Sequence, residues 1–492
     1  MQNVPYIKLG IVAVSRDCFP IELSQKRRSR VVASCKQRGI PVVEIETVIE
    51  NEGDVLKALE EIKQKGINAL ALYLGNFGPE GPTTLMAQRF NGPVMLVAAA
   101  EDSGKDLING RGDAYCGLLS ASYNSGLRRL RPYIPEYPIG DPEDIASMLA
   151  DFMPVARTVN GVRNLKIISF GPRPFDFLTC HAPIQPLYDL GVEVMENSEL
   201  DLYALVQEEK GNPEIQRIAA EIAAELGKGN TYPDLVDKLA QYECALEKFM
   251  KANLGVSRYA AFANKCWPAF EKHFGHVPCY LNSRLAAKGI PAACEADIYG
   301  ALSEYMVVCA TGVPPALLDI NNSVPKDMFA ENKEIIGDYQ ISDLWMGFHC
   351  GNTSAECLMQ PALKYQLIMH RLMEPEKKPD ITRGTLEGQI KSGPISVFRI
   401  QSTPDAHIQA YVANGEVLNV NPRSFGSIGV FAIKGMGRFY RHILIEKRFP
   451  HHTAIAFQHA GKALFAACRM LGLNDVFFNL PTGVYYPTEN PF

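Results

Sequence analysis

The sequence predicts an α/β protein with two doubly wound parallel-sheet domains, followed by a β-rich, antiparallel and barrel-like C-terminal domain. Three observations support this fold class. The chain has 492 residues, and roughly 150 residues per domain gives about three domains. Short apolar runs alternate with helix-type runs over the first two thirds, whereas strand-type runs dominate after residue 325. Hydrophobic residues make up 47% and charged residues 21%, which excludes disordered, collagen-like and coiled-coil classes.

The first third of the chain reads as a βαβα unit. Predicted strands cover residues 7–14, 42–45, 69–74 and 93–98, and predicted helices cover residues 21–37 and 54–65. This order is typical of a parallel sheet with helices on both faces. Because such sheets bind ligands beyond the carboxyl ends of their strands, the loops at 15–18 and 75–78 should lie at the functional edge. No GxGxxG sequence follows these strands, which disfavours a dinucleotide site.

A second alternating unit follows a Pro- and Gly-rich stretch at residues 132–142 and a helical run at 143–152. Its predicted strands cover residues 165–170 and 191–195, its long helices cover 214–226 and 232–250, and a short apolar run at 289–293 leads into Cys294 and Glu295. The predicted domains are therefore residues 1–157, 158–325 and 326–492.

The last third is punctuated by short turns such as Asn414-Gly415 and Lys434-Gly435. Predicted strands cover residues 344–348, 395–401, 408–412, 428–433 and 441–449, and a final helix covers residues 459–471. Short strands separated by tight turns are typical of an antiparallel sheet or barrel.

Charge and cysteine content limit the possible partners. The net charge is −5, and the densest basic cluster, Lys26, Arg27, Arg28 and Arg30, fits either a solvated helix face or an anion-binding patch. We expect no nucleic-acid partner. We also expect no signal peptide and no membrane span, since no apolar run approaches the roughly 20 residues needed. The twelve cysteines include no CxxC pair, which favours buried reduced thiols and a cytoplasmic protein.

Acidic residues at the ends of apolar runs are the most informative candidates for chemistry. Glu295 ends one such run and Asp319 ends another. A buried carboxylate needs a cation or a set of donors, although a helix cap or an arginine partner would also satisfy it. His451 and His452 follow a strand-type run, and His459 comes seven residues later and could be purely structural. A Glu, an Asp and a His can share a divalent cation, and such oxygen-rich sites favour Mn²⁺ or Mg²⁺ over zinc.

Several longer segments resemble the L-fucose isomerase and L-arabinose isomerase family. They are residues 265–268 (Lys-Cys-Trp-Pro), 278–279, 289–297 and 312–319. The spacing from Glu295 to Asp319, and the segment at 452–461, look like the L-fucose isomerase branch, which includes sulfoquinovose isomerases. The N-terminal third shows only a weak local match, around residues 10–20.

This resemblance implies a ketol isomerase that interconverts an aldose and its ketose through a cis-enediol at a Mn²⁺ site, with Mg²⁺ or Co²⁺ as substitutes. The family's metal ligands fall on Glu295, Asp319 and His452. The two carboxylates would also serve as acid and base in turn, with either one taking the C2 proton. His349 is a candidate substrate contact or a fourth ligand, as in the arabinose branch, and His451 is a candidate substrate contact. Cys294 and Cys350, which adjoin candidate site residues, are expected to serve in packing.

The resemblance also implies a homo-oligomer, a trimer or hexamer, whose site is shared between subunits. The N-terminal domain of a neighbour would close over the sugar, which would make Arg16 and Asn76 substrate contacts.

The expected substrate is a sugar of the L-fucose or D-arabinose type. The chain looks shorter than a typical L-fucose isomerase, and Arg16 with Lys26, Arg27 and Arg28 would suit an anionic tail, so sulfoquinovose is the alternative. A further alternative, from another class, is a protein that binds sugar without catalysis.

Overall fold

We describe a computed structural model of the chain, covering residues 3–105, 107–108 and 110–490. The chain divides into two compact units. Among the described residues, one unit lies within 5–160 with 466–472, and the other comprises residues 3–4, 161–465 and 473–490. Within the described ranges, no helix combines the length and the apolar character needed to cross a bilayer.

The first unit is built on a five-stranded parallel sheet. Its strands are β1 (Leu9–Val14), β2 (Val42–Ile49), β3 (Ala69–Leu74), β4 (Val94–Ala99) and β5 (Ile139–Gly140), in the order β2-β1-β3-β4-β5. The connecting helices are α1 (Ile21–Gln37), α2 (Glu52–Lys65), α3 (Glu80–Arg89), α4 (Ala114–Leu127) and α5 (Pro142–Val162). Strands β1, β3 and β4 are wholly buried, as their continuous apolar sequences require when helices cover both faces of a sheet.

The second unit begins with a four-stranded parallel sheet. Its strands are β6 (Leu165–Phe170), β7 (Glu193–Asn197), β8 (Tyr259–Ala263) and β9 (Ala292–Ala293), in the order β7-β6-β8-β9. Its helices are α6 (Gln185–Asp189), α7 (Glu199–Glu208), α8 (Glu214–Leu226), α9 (Val236–Asn253), α10 (Phe270–Phe274), α11 (Cys279–Ala287) and α12 (Ile298–Thr311). The two parallel sheets confirm the α/β part of the predicted fold class.

The same unit continues into a nine-stranded mixed sheet. Its strands are β10 (Ala316–Asn322), β11 (Leu344–His349), β12 (Leu358–Tyr365), β13 (Arg383–Ile390), β14 (Gly393–Ser402), β15 (Ile408–Leu418), β16 (Ser427–Ala432), β17 (His452–Ala456) and β18 (Asp475–Phe478). Six of them pair antiparallel around a closed ring, β16-β11-β10-β17-β14-β15, because β15 also pairs with β16. This ring confirms the predicted barrel-like character.

Further helices follow β10 along the chain, and one of the strands predicted in this region is a helix instead. They are α13 (Lys326–Glu331), α14 (Lys333–Ile336), α15 (Leu367–Met373), α16 (Met436–Phe439) and α17 (Gly461–Leu471). The strand predicted at residues 441–449 is wrong, because α16 continues into a π-helical turn over Tyr440–Ile445. Phe439, Ile443 and Leu444 are buried, and their spacing suits one face of a helix. The division of this unit at residues 325 and 326 stays a prediction.

Candidate metal centre and active site

Strand register in the barrel brings Asp319 and His452 together. Strand β10 lies between β11 and β17, and Asp319 is directly opposite His452 on one side and Phe348 on the other. Directly paired residues of antiparallel strands project from the same face, with Cβ atoms about 4.5–5.5 Å apart. Asp319 and His452 therefore present their polar groups to one place, and His349 lies next along β11.

Glu295 reaches the same place from the parallel sheet. It follows β9 in a tight turn over Cys294–Ala296, which leads directly into α12. Glu295 and Ala296 both have left-handed backbone angles, with φ values of 60° and 57°. For residues other than glycine this conformation costs about 1–2 kcal/mol each. Strain of this kind is found where surrounding structure holds a functional side chain in place.

The three side chains converge on one nitrogen. The Nε2 atom of His452 lies 3.0 Å from Oε2 of Glu295 and 3.4 Å from Oδ1 of Asp319. All three atoms are buried and have no hydrogen-bond partner. Buried polar atoms without partners are costly, and two carboxylate oxygens with one imidazole nitrogen are a ligand set for a divalent cation. The described residues that could hold such a cation here form two groups that share His452, one with Glu295 and His349 and one with Asp319 and His451. The donor chemistry therefore fits the predicted metal.

The two neighbouring histidines line this centre. Nε2 of His451 lies 3.7 Å from Oδ1 of Asp319, and the edge of the Phe177 ring packs against its imidazole at a centroid distance of 5.5 Å. The His349 ring lies 5.9 Å from the His452 ring. The backbone N–H of Cys350 donates to Nδ1 of His349 at 3.0 Å, so in the neutral ring the proton is on Nε2. In this tautomer Nε2 of His349 is a hydrogen-bond donor, as a substrate contact requires, and the ligand atom of His349 also lies within 4.8 Å of those of Glu295 and His452. Whether His349 contacts substrate or metal stays a prediction.

Protonation differs between the two carboxylates. Burial raises the pKa of Asp319 to about 7; His452 opposes this shift, and the negative charge of Glu295 adds to it. Burial also acts to raise the pKa of Glu295, but the close contact with His452 outweighs it and the pKa is lowered. Burial lowers the pKa of His349 and His451 to about 4, so both rings are neutral at pH 7. The site thus pairs a carboxylate whose pKa is lowered with one whose pKa lies near neutrality.

A buried ion pair supports His452 from behind. Nδ1 of His452 lies 2.7 Å from Oδ2 of Asp297, and the same oxygen accepts from Nη1 of Arg399 at 2.6 Å. Sequence reasoning missed both residues as site residues. The sequence signal for Asp297 is its place two positions after Glu295, and the signal for Arg399 is its charge inside the apolar run 395–401.

The two candidate residues of the N-terminal unit lie in adjacent loops after β1 and β3. The Asn76 amide is buried; its Oδ1 accepts from the backbone N–H of Arg16 and of Gly78, each at 3.1 Å. The Arg16 side chain is 41% exposed, lies over the Phe77 ring, and approaches Glu80 only to 3.9 Å. Asn76 therefore shapes the loop that presents Arg16, and a substrate role for either residue stays a prediction.

The basic cluster on α1 is mostly neutralised by ion pairs. Arg27 pairs with Glu101 at 2.7 Å, and Arg28 pairs with Glu44 at 2.7 Å, and both arginines are buried. Arg27 and Arg28 therefore form neither a solvated helix face nor a free anion-binding patch, because each is buried and paired with a carboxylate.

Comparisons with known proteins show which sugar isomerases this chain is similar to. The profile for the "Fucose/sulfoquinovose isomerase, N-terminal domain" matches residues 10–163, and that for the "L-fucose isomerase, C-terminal domain" matches residues 347–477. The sulfoquinovose isomerase of Priestia aryabhattai is 24% identical, over 99% of this chain and 100% of that protein. That of Alkalicoccus urumqiensis is 26% identical over 74% of this chain and 75% of that protein. That of Clostridium sp. (strain MSTE9) is 26% identical over 78% and 80%.

A solved periplasmic solute-binding protein from Actinobacillus succinogenes 130z with bound D-allose is 9% identical, over 58% of this chain and 83% of that chain. Its TM-score is 0.16, a value too low to support an argument about fold or function.

Proposed function

Since this chain belongs to the fucose/sulfoquinovose isomerase family, and is thereby an aldose–ketose isomerase, we propose that it uses a divalent metal ion and acts on sulfoquinovose. The observation that carries the metal is the set of three buried, unpartnered atoms on Glu295, Asp319 and His452. Mn²⁺ suits two carboxylates and one imidazole, and Mg²⁺ or Co²⁺ would be substitutes. When bound, such a cation acts as a Lewis acid on the sugar's oxygens and stabilises developing negative charge.

The protein's own groups move the protons. Conversion of an aldose to a ketose removes a proton from C2 and returns one to C1, while a proton moves from O2 to O1. A carboxylate beside this carbon takes the proton as a general base, and its protonated form returns it as a general acid. Glu295 and Asp319 are the proposed pair, in either order. His349, through its Nε2–H, and His451 are proposed to bind hydroxyl groups of the sugar.

The choice of sulfoquinovose rests on the relatives. Three proteins that match most of this chain are named sulfoquinovose isomerases. A sulfonate needs a cationic partner, and in the N-terminal unit of a neighbouring subunit Arg16 is a better candidate than Arg27 or Arg28, whose charges are already paired. L-Fucose and D-arabinose remain the competing substrates.

A coupled assay on sulfoquinovose, L-fucose and D-arabinose with added Mn²⁺ tests this proposal. We expect kcat/KM for sulfoquinovose to be about 10–150-fold higher than for the neutral sugars, since an arginine–oxyanion pair contributes about 1.5–3 kcal/mol. Arg16→Gln should lower this ratio. A preference for L-fucose would refute the sulfonate substrate and leave the isomerase assignment standing.

We also propose that the protein is a homo-oligomer that associates through helix α4. Tyr115, Leu119, Tyr123 and Leu127 recur every four residues along one face and are 63–70% exposed. The helix contains no charged residue, so this face can pack against its own copy without like-charge repulsion. Exposed apolar stripes of this kind mark protein interfaces.

The twelve free cysteines support a reducing, cytoplasmic setting.

Sedimentation velocity tests the interface. Leu119→Glu should shift the protein to a smaller species, because it buries a charge at the centre of the stripe. Leu56→Glu is the matched control: Leu56 is 70% exposed on α2, outside the stripe. Unchanged sedimentation of Leu119→Glu would refute this surface.

A further inference from the structure

A buried carboxylate, Asp297, connects two of the three proposed metal ligands. We propose that Asp297, held by Arg399, is a positioning residue that fixes both the His452 ring and the turn carrying Glu295 for metal binding. This inference rests on the proposed function, because it assigns both residues to the same metal centre.

The four acceptor positions of Asp297 are all used. Its Oδ1 accepts from the backbone N–H of Gly300 at 2.8 Å and from Nη2 of Arg399 at 2.9 Å. Its Oδ2 accepts from Nη1 of Arg399 at 2.6 Å and from Nδ1 of His452 at 2.7 Å. An ionised carboxylate offers about four lone-pair positions and no donor. An asparagine here would turn its NH₂ group toward two of these donors, so only a carboxylate satisfies the set.

This arrangement decides which nitrogen of His452 faces the site. An ionised carboxylate can only accept, so Nδ1 must carry a proton. In the neutral ring, Nε2 then presents its lone pair toward Glu295 and Asp319. Histidine ligands are commonly oriented in this way by a carboxylate behind the ring.

The same carboxylate secures the turn that carries Glu295. Asp297 is the N-cap of α12 through its bond to Gly300, and its own N–H donates to the carbonyl of Cys294 at 3.1 Å. Between them lie the two left-handed residues, Glu295 and Ala296. Asp297 therefore opposes relaxation of that backbone while it orients His452.

Arg399 makes the arrangement rigid. Its side chain is fully buried on β14, and both its Nε and its Nη2 donate to Oε1 of Gln401, at 3.1 Å and 2.5 Å. The planar guanidinium meets Asp297 with two parallel bonds, a geometry that lysine cannot reproduce.

The thiol of Cys180 also lies near, 3.7 Å from Nδ1 of His452, so Cys180, Asp297 and His452 could be read as a second metal site. Both oxygens of Asp297 and Nδ1 of His452 are already engaged in hydrogen bonds, and the group therefore supports the ligand rather than binding an ion.

The test measures the Mn²⁺ dissociation constant of the purified full-length protein by electron paramagnetic resonance. We expect Asp297→Asn to weaken Mn²⁺ binding by about 10–100-fold, and Arg399→Lys to weaken it less. Saturating Mn²⁺ should restore much of the kcat of Asp297→Asn, which a general loss of packing would not allow. Glu243→Gln is the matched control, because Glu243 is a buried carboxylate on α9 that pairs with Arg284 at 2.7 Å. It should lower stability and leave Mn²⁺ affinity within twofold.

The outcomes distinguish failure of the positioning role from failure of the proposed function. If the natural protein binds Mn²⁺ and both site variants bind it equally well, the positioning role is refuted. The same holds if Glu243→Gln weakens Mn²⁺ binding as much as they do. If Asp297→Asn does not fold, Arg399→Lys decides the question alone. If the natural protein neither binds Mn²⁺ nor isomerises sugars, the proposed function fails instead.

Discussion

The Glu295→Gln variant tests the catalytic role of Glu295 separately from its structural role. Glutamine has nearly the same shape, so it fits the turn after β9. Oε2 of Glu295 makes no hydrogen bond, and the main loss is its ionic contact with Nε2 of His452 at 3.0 Å. Because this contact is buried, its loss should lower the free energy of unfolding by up to about 3–5 kcal/mol. Activity should fall in addition, because positioned acid–base groups contribute about 10²–10⁴-fold and this group is also a proposed metal ligand.

The assay follows exchange of the C2 hydrogen of the sugar with solvent deuterium by NMR, at saturating Mn²⁺. We expect Glu295→Gln to lose at least about 10³-fold in rate. The control is Glu271→Gln, because Glu271 is fully buried, both its oxygens lack a hydrogen-bond partner, and it is not among the proposed site residues. A rate for Glu295→Gln within tenfold of the natural protein would refute the assigned role.

Three further predictions concern pH, metal and substrate. Burial raises the pKa of Glu271 to about 7, so the folded state keeps this proton at pH values where the unfolded chain has lost it. The free energy of unfolding should therefore fall as pH rises from 5 to 8, by up to about 3 kcal/mol. Urea unfolding of Glu271→Gln should lack this pH-dependent component. Chelation should lower the Tm of the natural protein, and Mn²⁺ at about 100 times its Kd should add about 3 kcal/mol of stability; an unchanged Tm would contradict a metal at the three unpartnered atoms. His349→Gln should raise KM several-fold without changing Mn²⁺ affinity, because the His349 ring keeps its proton on Nε2; a tenfold weaker Kd for Mn²⁺ would instead make it a ligand.

The sequence was most informative where a charge ends an apolar run. This pattern predicts Glu295 and Asp319 as site residues, and a carboxylate oxygen of each lies within 3.4 Å of Nε2 of His452. Their convergence could not be read from one sequence, because it depends on a register that places Asp319 opposite His452 across distant parts of the chain. Their catalytic and metal-binding roles stay proposals.

Long-range partners were the main omission. Arg399 and Asp297 form a buried pair between β14 and the start of α12. Nothing local to either residue identifies the other, since propensity and periodicity describe only neighbours in sequence. The error at residues 441–449 has a related cause, because a short apolar run fits either a strand or a buried helical turn until its packing partners are known.

The closed barrel has a consequence for how errors in folding would affect the site. Strands β10 and β17 each have a neighbour on both sides, so neither can slide by one residue without breaking pairing elsewhere in the ring. A slip of one residue would also turn His452 to the opposite face of its strand. Misfolded molecules should consequently lack the site entirely, and amide hydrogen exchange at Asp319 and His452 should require opening of the whole ring rather than fraying of one strand.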